Sequence, residues 1–267
     1  MTAENPPTAD HEIDSQSLPP GVPLHSAIRR VHLAAGGVLD ILVMPVAQPL
    51  DASASRSELA ETVGRWIAAV NLALRPLAPP SVVVPLYDCL VGWAAGRAAV
   101  VGPPDRLATL ESTVVEFASR EAELHAAEEQ ACHLMDAVVC DADGSVASHP
   151  PAPEFRTMLA RRYVDAVAVS RRLALLAPAI HAPPTHPPTL ASQLGERLRD
   201  RTRLLERHDL ATEQAGLAER IAEASRQRAD ELAVAQKQTG LEWTIVVLLV
   251  VQTTLLVVDL LARQGTP

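Results

Sequence analysis

The chain has 267 residues, with 23 Lys and Arg against 32 Asp and Glu, and a formal charge of −9. An acid surplus argues against general nucleic-acid binding, which needs a basic face to displace counterions, so no nucleic-acid partner is expected. Cys89, Cys132 and Cys140, in a chain that opens without an apolar leader, read as reduced thiols and not as a disulfide framework.

Residues 1–25 are rich in Pro, Asp, Glu and Ser and predict a disordered acidic tail, neither a secretory signal nor an Arg-rich transit peptide. The β-branched run at 38–44, after Gly36-Gly37, predicts a strand. Ser55 and Glu58 have capping-box spacing ahead of Leu59, Val63, Ile67 and Leu74, which predicts an amphipathic helix over 57–75. Short apolar pieces at 82–84, 89–94 and 98–101, cut by Pro85, Gly92, Gly96 and Gly102, fit strands with tight turns. Asp105 then caps a long helix marked by Leu107, Leu110, Val114, Phe117, Leu124 and Leu134, and a break is expected from Asp141 to Pro151.

A further helix over 154–176 carries Phe155, Leu159, Val164, Val167 and Leu173, and the prolines of 178–188 predict a stiff extended linker. From Leu190 the chain is helical to its apolar end, with marks at Leu194, Leu198, Leu205, Leu210, Leu217, Ile221 and Leu232. Gly216 is a candidate break, so a single stalk and a helical hairpin both stay open. Strands cluster early and helices dominate later, which gives the fold class as α+β. The expected organisation is the tail at 1–25, a head at 26–145, helix and linker at 146–189, a stem at 190–240, a transmembrane anchor at 241–261 and a short end at 262–267.

The anchor is argued from magnitudes. Residues 241–261 as a helix reach about 30 Å, the thickness of the hydrocarbon layer. Thirteen strongly apolar residues supply about −4 to −8 kcal/mol of insertion free energy, against Gln252, Thr253 and Thr254 near mid-span. Trp243 falls at the headgroup boundary and Asp259 close enough to the far side to snorkel. Arg220, Arg226, Arg228 and Lys237 precede the span and only Arg263 follows it, which predicts a tail-anchored, single-pass protein of an inner membrane with its N-terminal portion cytoplasmic.

Leu241-Glu242-Trp243 opening an Ile/Val/Leu span, after an Arg-rich helix with Arg203-Leu204-Leu205-Glu206-Arg207, resembles the C-terminal signature of the YagE-type (required-for-meiotic-nuclear-division) family, a domain of unknown function. Members often carry glutamate nine residues after the tryptophan, where this chain has Gln252. The resemblance implies an α/β-type head, a helical stem, one membrane span and residence at mitochondrial or other membranes. One branch of the family is associated with support of organellar translation. No catalytic motif comes with the resemblance.

His125, Cys132, His133 and Cys140 recur along one predicted helix, but two turns separate neighbours by about 10 Å, so the row reads as helix-edge and core residues and not as a zinc site. Asp141-Ala142-Asp143-Gly144 lacks the later ligands of a calcium loop and reads as a turn. Gly92 and Gly96 lack phosphate-loop spacing. His181 and His186 read as solvated linker residues. The Arg197/Arg201 and Arg199/Arg203/Arg207 stripes, interleaved with Glu196, Asp200, Glu206 and Asp209, read as salt-bridged helix surface. Glu111, Glu116, Glu121, Glu123, Glu128 and Glu129 read as a solvated face.

No cofactor and no catalytic residue is therefore expected. The functional residues are those of the anchor: Leu241, Glu242, Trp243, Gln252 and Asp259. The expected partners are the lipid bilayer and a protein partner or second copy, for a non-enzymatic scaffold or tether. Two alternatives are an enzyme with its site between the short strands and the helix from Asp105, and an oligomeric channel using Gln252 and Asp259.

Overall fold

A computed structural model of the chain describes residues 11–13, 26–34, 36–46, 53–71, 81–145, 152–183 and 185–264. The fold is α+β. Among the described residues the elements are β1 (His11–Ile13), β2 (Ala27–His32), β3 (Val38–Pro45), α1 (Ser53–Asn71), β4 (Val82–Leu86), β5 (Cys89–Ala94), β6 (Arg97–Gly102), α2 (Pro104–Ser145), α3 (Pro153–Ile180), α4 (Leu190–Thr202) and α5 (Leu204–Gln264). They divide into two compact units, one of residues 1–129 and 172–212, the other of residues 130–171 and 213–267.

The first unit holds a six-stranded sheet in the order β1-β2-β3-β6-β5-β4. Two antiparallel meanders meet at its centre in a parallel β3–β6 pair, with Leu42 opposite Ala99. The parallel pair requires a crossover, and α1 lies on that route and packs on β4, β5 and β6. Period-two alternation sorts the sheet residues. Leu42, Met44, Leu90, Ala99 and Val101 face Val63, Trp66 and Ile67 of α1. A side chain on Gly92 would place its Cβ 2.4 Å from Val63 Cγ1, so this glycine sets how closely α1 approaches the sheet. On the other face the Trp93 ring meets Phe117 of α2 edge-on, with centroids 5.1 Å apart. α4 packs on β4 as well, and Arg197 donates to the Pro85 carbonyl there.

The structure corrects several expectations. β2 was missed because Arg29 and Arg30 interrupt its apolar run. Arg30 sits opposite Asp40 on β3 and pairs with it at 2.8 Å, and Arg29 reaches Glu111 on α2 at 3.1 Å. Within the tail read as disordered, residues 11–13 take up the open edge of β2. The remainder of 1–25 lies outside the described residues. α1 starts at Ser53, so Ser55 lies inside the helix and not at its cap position, and residues 72–75 of the expected helix lie outside the described residues. Pro104 takes the first position of α2, and Asp105 lies in its first turn, not at the cap. The same helix continues through Asp141 to Ser145, where a turn was expected, while 146–151 lie outside the described residues. α3 runs past Pro178 to Ile180, which is buried at its end, so the linker begins only at His181.

The chain breaks after Thr202, not at Gly216. Thr189 and Ser192 form a capping box at the start of α4, and Arg203 ends it in the left-handed region at φ 51. α5 then runs unbroken through Gly216.

In the second unit α3 and α5 run antiparallel, joined by Arg156–Asp230 at 2.6 Å, Ser170–Glu219 at 3.0 Å and the Arg226 guanidinium over the Tyr163 ring at 5.2 Å. Arg162 reaches Asp141 of α2 at 3.1 Å. Among the described residues of α5, those buried are Leu204, His208 and Ala211 in the first unit and Ala215, Ala218, Ala222, Ser225 and Ala229 in the second, in alternating steps of four and three. Leu205, Leu210 and Leu217, expected as core marks, are exposed, as are Val164 and Val167 of α3.

Candidate functional sites: an exposed apolar helix and a charged cleft

Among the described residues, one helix is long and apolar enough to cross a membrane, and it is α5. From Leu241 to Leu256 every large apolar side chain is between 48% and 66% exposed, and none of the most apolar window is buried. A water-facing run of this kind carries a hydrophobic cost that lipid removes. Its polar residues are partly neutralised within the helix. Thr244, Thr253 and Thr254 donate to the carbonyls of Gly240, Leu249 and Val250 at 2.9, 2.7 and 2.8 Å. Each hydroxyl is thus satisfied one turn back, without water. Glu242 accepts from Gln238 at 3.5 Å, Trp243 and Gln252 are exposed, and Asp259 lies within the helix. The five expected anchor residues therefore all fall on one continuous helix.

The first unit contains a second candidate, at the end of the sheet covered by α2. The Gly36-Gly37 and Ala95-Gly96 turns, Leu39, Trp93 and the α2 residues Glu121, His125 and Glu129 line a cleft of about 320 Å³. Gly36, Gly37 and Gly96 all have positive φ, a conformation that suits glycine, and they let backbone rather than side chain form the rim. The enzyme reading placed its site between these strands and this helix. The indole Nε1 of buried Trp93 has no acceptor among the described residues.

Beside the cleft lies a charge cluster that was not expected. Arg207 of α5 forks across to α2, meeting Glu128 at 2.6 and 2.9 Å and Glu121 at 3.1 Å. Glu121 is buried, and Arg207 and Glu128 are largely so. His125 sits between Glu128 and Glu129, at 3.5 and 3.7 Å. Burial pushes the Glu121 carboxyl up, against the pull of Arg207. Burial would raise Glu128 too, but hydrogen bonds from His125 and Arg207 outweigh it and hold that carboxyl down. The hydrogen bond to Glu128 raises His125. Two carboxylates with environments that drive their proton affinities apart, next to an imidazole, can hold and pass a proton at the cleft wall.

The remaining expectations are placed as follows. Cys132, His133 and Cys140 are exposed on α2 while His125 is turned to the acids. Cys89 is buried beside Asp88, its thiol pushed up first by burial. The second arginine stripe does not exist as a surface line, because Arg203 breaks the helix. Arg199 donates to the carbonyls of Ile180 and Ala182 at 3.1 and 2.9 Å, and Arg207 turns inward. Glu121 and Glu128 leave the solvated acidic face for this cluster. His181 meets His208 of α5 instead of water alone. The sequence signal for the inward residues was their register, since Leu110, Val114, Phe117, Glu121 and Leu124 share one alternation of four and three. Comparisons with protein families, with curated proteins and with solved structures found no match.

Proposed function

We propose that the protein is a single-pass, membrane-tethered scaffold of the YagE type, with its α+β unit on the cytoplasmic side of an inner membrane and available to protein partners or a second copy. The observation that carries this reading is the exposed apolar surface around α5 from Leu241 to Leu256. The orientation rests on Arg220, Arg226, Arg228 and Lys237 ahead of that stretch. The likeness to the family rests on Leu241-Glu242-Trp243 and on the Arg-rich run before it.

Alkaline carbonate extraction of cells making the full chain tests the tether. The protein stays in the membrane pellet, and Gln252→Arg, which adds about 2.5–3.5 kcal/mol at mid-span, shifts a measurable fraction to the supernatant. Quantitative release of the unaltered chain ends the proposal. Cross-linking in detergent then tests the scaffold role, and a strict monomer with no co-purifying protein counts against it.

The cleft of Glu121, His125 and Trp93 favours a second reading, a small-molecule site on the tethered unit. A compound that raises the unfolding temperature of the unaltered chain but not that of Glu121→Gln supports this reading over a scaffold alone.

A further inference from the structure

His181 follows the last turn of α3, and His208 and Asp209 lie in the second turn of α5. One donor atom from each converges within a small volume. His181 Nε2 is 3.3 Å from His208 Nδ1, and Asp209 Oδ1 is 3.5 Å from the first and 3.6 Å from the second. Edges of this length leave a point equidistant from all three at about 2.0 Å, which is the bond length of zinc to imidazole nitrogen and carboxylate oxygen.

The buried histidine is prepared for such a role. His208 Nε2 lies 3.1 Å from the Leu173 carbonyl, which can only accept, so that nitrogen carries the proton and Nδ1 presents its lone pair in the neutral ring. A backbone carbonyl on the far nitrogen is the usual outer-shell partner of a metal-bound imidazole. His208 is 4% exposed, within the buried seam of α5, so its ring has little freedom to turn away. The segment after His181 is also held, by the two hydrogen bonds from Arg199 to the carbonyls of Ile180 and Ala182. His181 and Asp209 remain partly exposed, at 44% and 62% for their side chains, which leaves a route for an ion and a position for water as fourth ligand.

We propose that His181, His208 and Asp209 form a binding site for a divalent cation of borderline softness, zinc above all, that ties the end of α3 to the start of α5. Two imidazoles and one carboxylate select zinc over magnesium or calcium, which favour all-oxygen sets. In the absence of the ion, a proton on His181 Nε2 satisfies the same lone pair of His208. Zinc takes the place of that proton, which moves to His181 Nδ1 of the neutral ring, with small rotations of the three side chains.

The test is a competition titration of zinc against a chromophoric chelator, using the full chain in detergent, with cobalt absorption as a report on geometry. Because Cys132, His133 and Cys140 are exposed and could bind zinc on their own, the same titration is run in a Cys132→Ser/Cys140→Ser background. One equivalent is expected in both proteins, with four- or five-coordinate cobalt bands. His181→Ala and Asp209→Asn, at partly exposed positions, each weaken binding at least about tenfold. Circular dichroism of both variants confirms that they are folded. Absence of a saturable equivalent overturns the proposal, as does binding that survives His181→Ala or that disappears with the two cysteines.

Discussion

Arg207 shows how one side chain changes the meaning of two others. Without it, Glu121 and Glu128 would be two carboxylates crowded on one face of α2. With it, they share a forked cation at 2.6 to 3.1 Å. Removing one partner of a buried pair leaves the other charge without compensation, which costs about 3–5 kcal/mol. Arg207→Ala is therefore expected to lose about 3 kcal/mol of stability, measured by urea unfolding, while Arg203→Ala at its exposed pair with Glu206 loses less than about 1.

The same cluster sets a pH dependence. His125 is raised above 6.5 by its hydrogen bond to Glu128, so its contribution is complete below that value and is lost as pH rises through the higher folded value. Glu121, raised by burial, works in the same direction over its own range above 4.5. Glu128 is held below 4.5, so its contribution is present above that value and is lost as pH falls through the lower folded one. The unfolding temperature should therefore decline as pH rises above 6.5. His125→Phe should flatten that decline without removing the acid-side loss.

At the scale of elements, α5 buries small residues where large ones were expected. Its seam of Ala211, Ala215, Ala218, Ala222 and Ala229 is almost wholly buried, while Leu210 and Leu217 stand in solvent. Interaxial distance depends on the side chains at the contact, and alanines allow a close approach. A hydropathy reading takes leucine as the mark of the core and passes over alanine, which is at home on either face. Ala218→Leu should cost about 1–3 kcal/mol by overpacking. Leu217→Ala should stay within about 0.5 kcal/mol, as for an ordinary surface change. Thermal unfolding of the two single variants separates these outcomes, and the opposite ranking would refute the seam. The break at Arg203 was missed for a related reason, because a left-handed residue is usually glycine and Gly216 was the available candidate.

For the whole molecule, the strands from Val38 to Gly102 and the helices after them were legible because each carries a local signal: β-branched alternation, glycine turns, or a three-and-four apolar step. The first two strands, β1 and β2, were not, since short pieces rich in charge become strands only when a neighbour offers hydrogen bonds. The long apolar stretch of α5 was legible as well, from run length alone. The Arg207 cluster and the histidine pair were not, because they join residues 27 to 86 positions apart, and no local pattern encodes that distance.

The α+β class, the order of the principal strands and helices, and the apolar character of 241–261 can be read without the structure, because all are properties of short windows whose energetics depend on neighbours along the chain. Tertiary structure alone decided which charges are buried, which face of α5 turns inward, and that His181 stands beside His208. Burial and charge pairing are set by what packs across space, and helices brought side by side give residues distant in sequence a common environment.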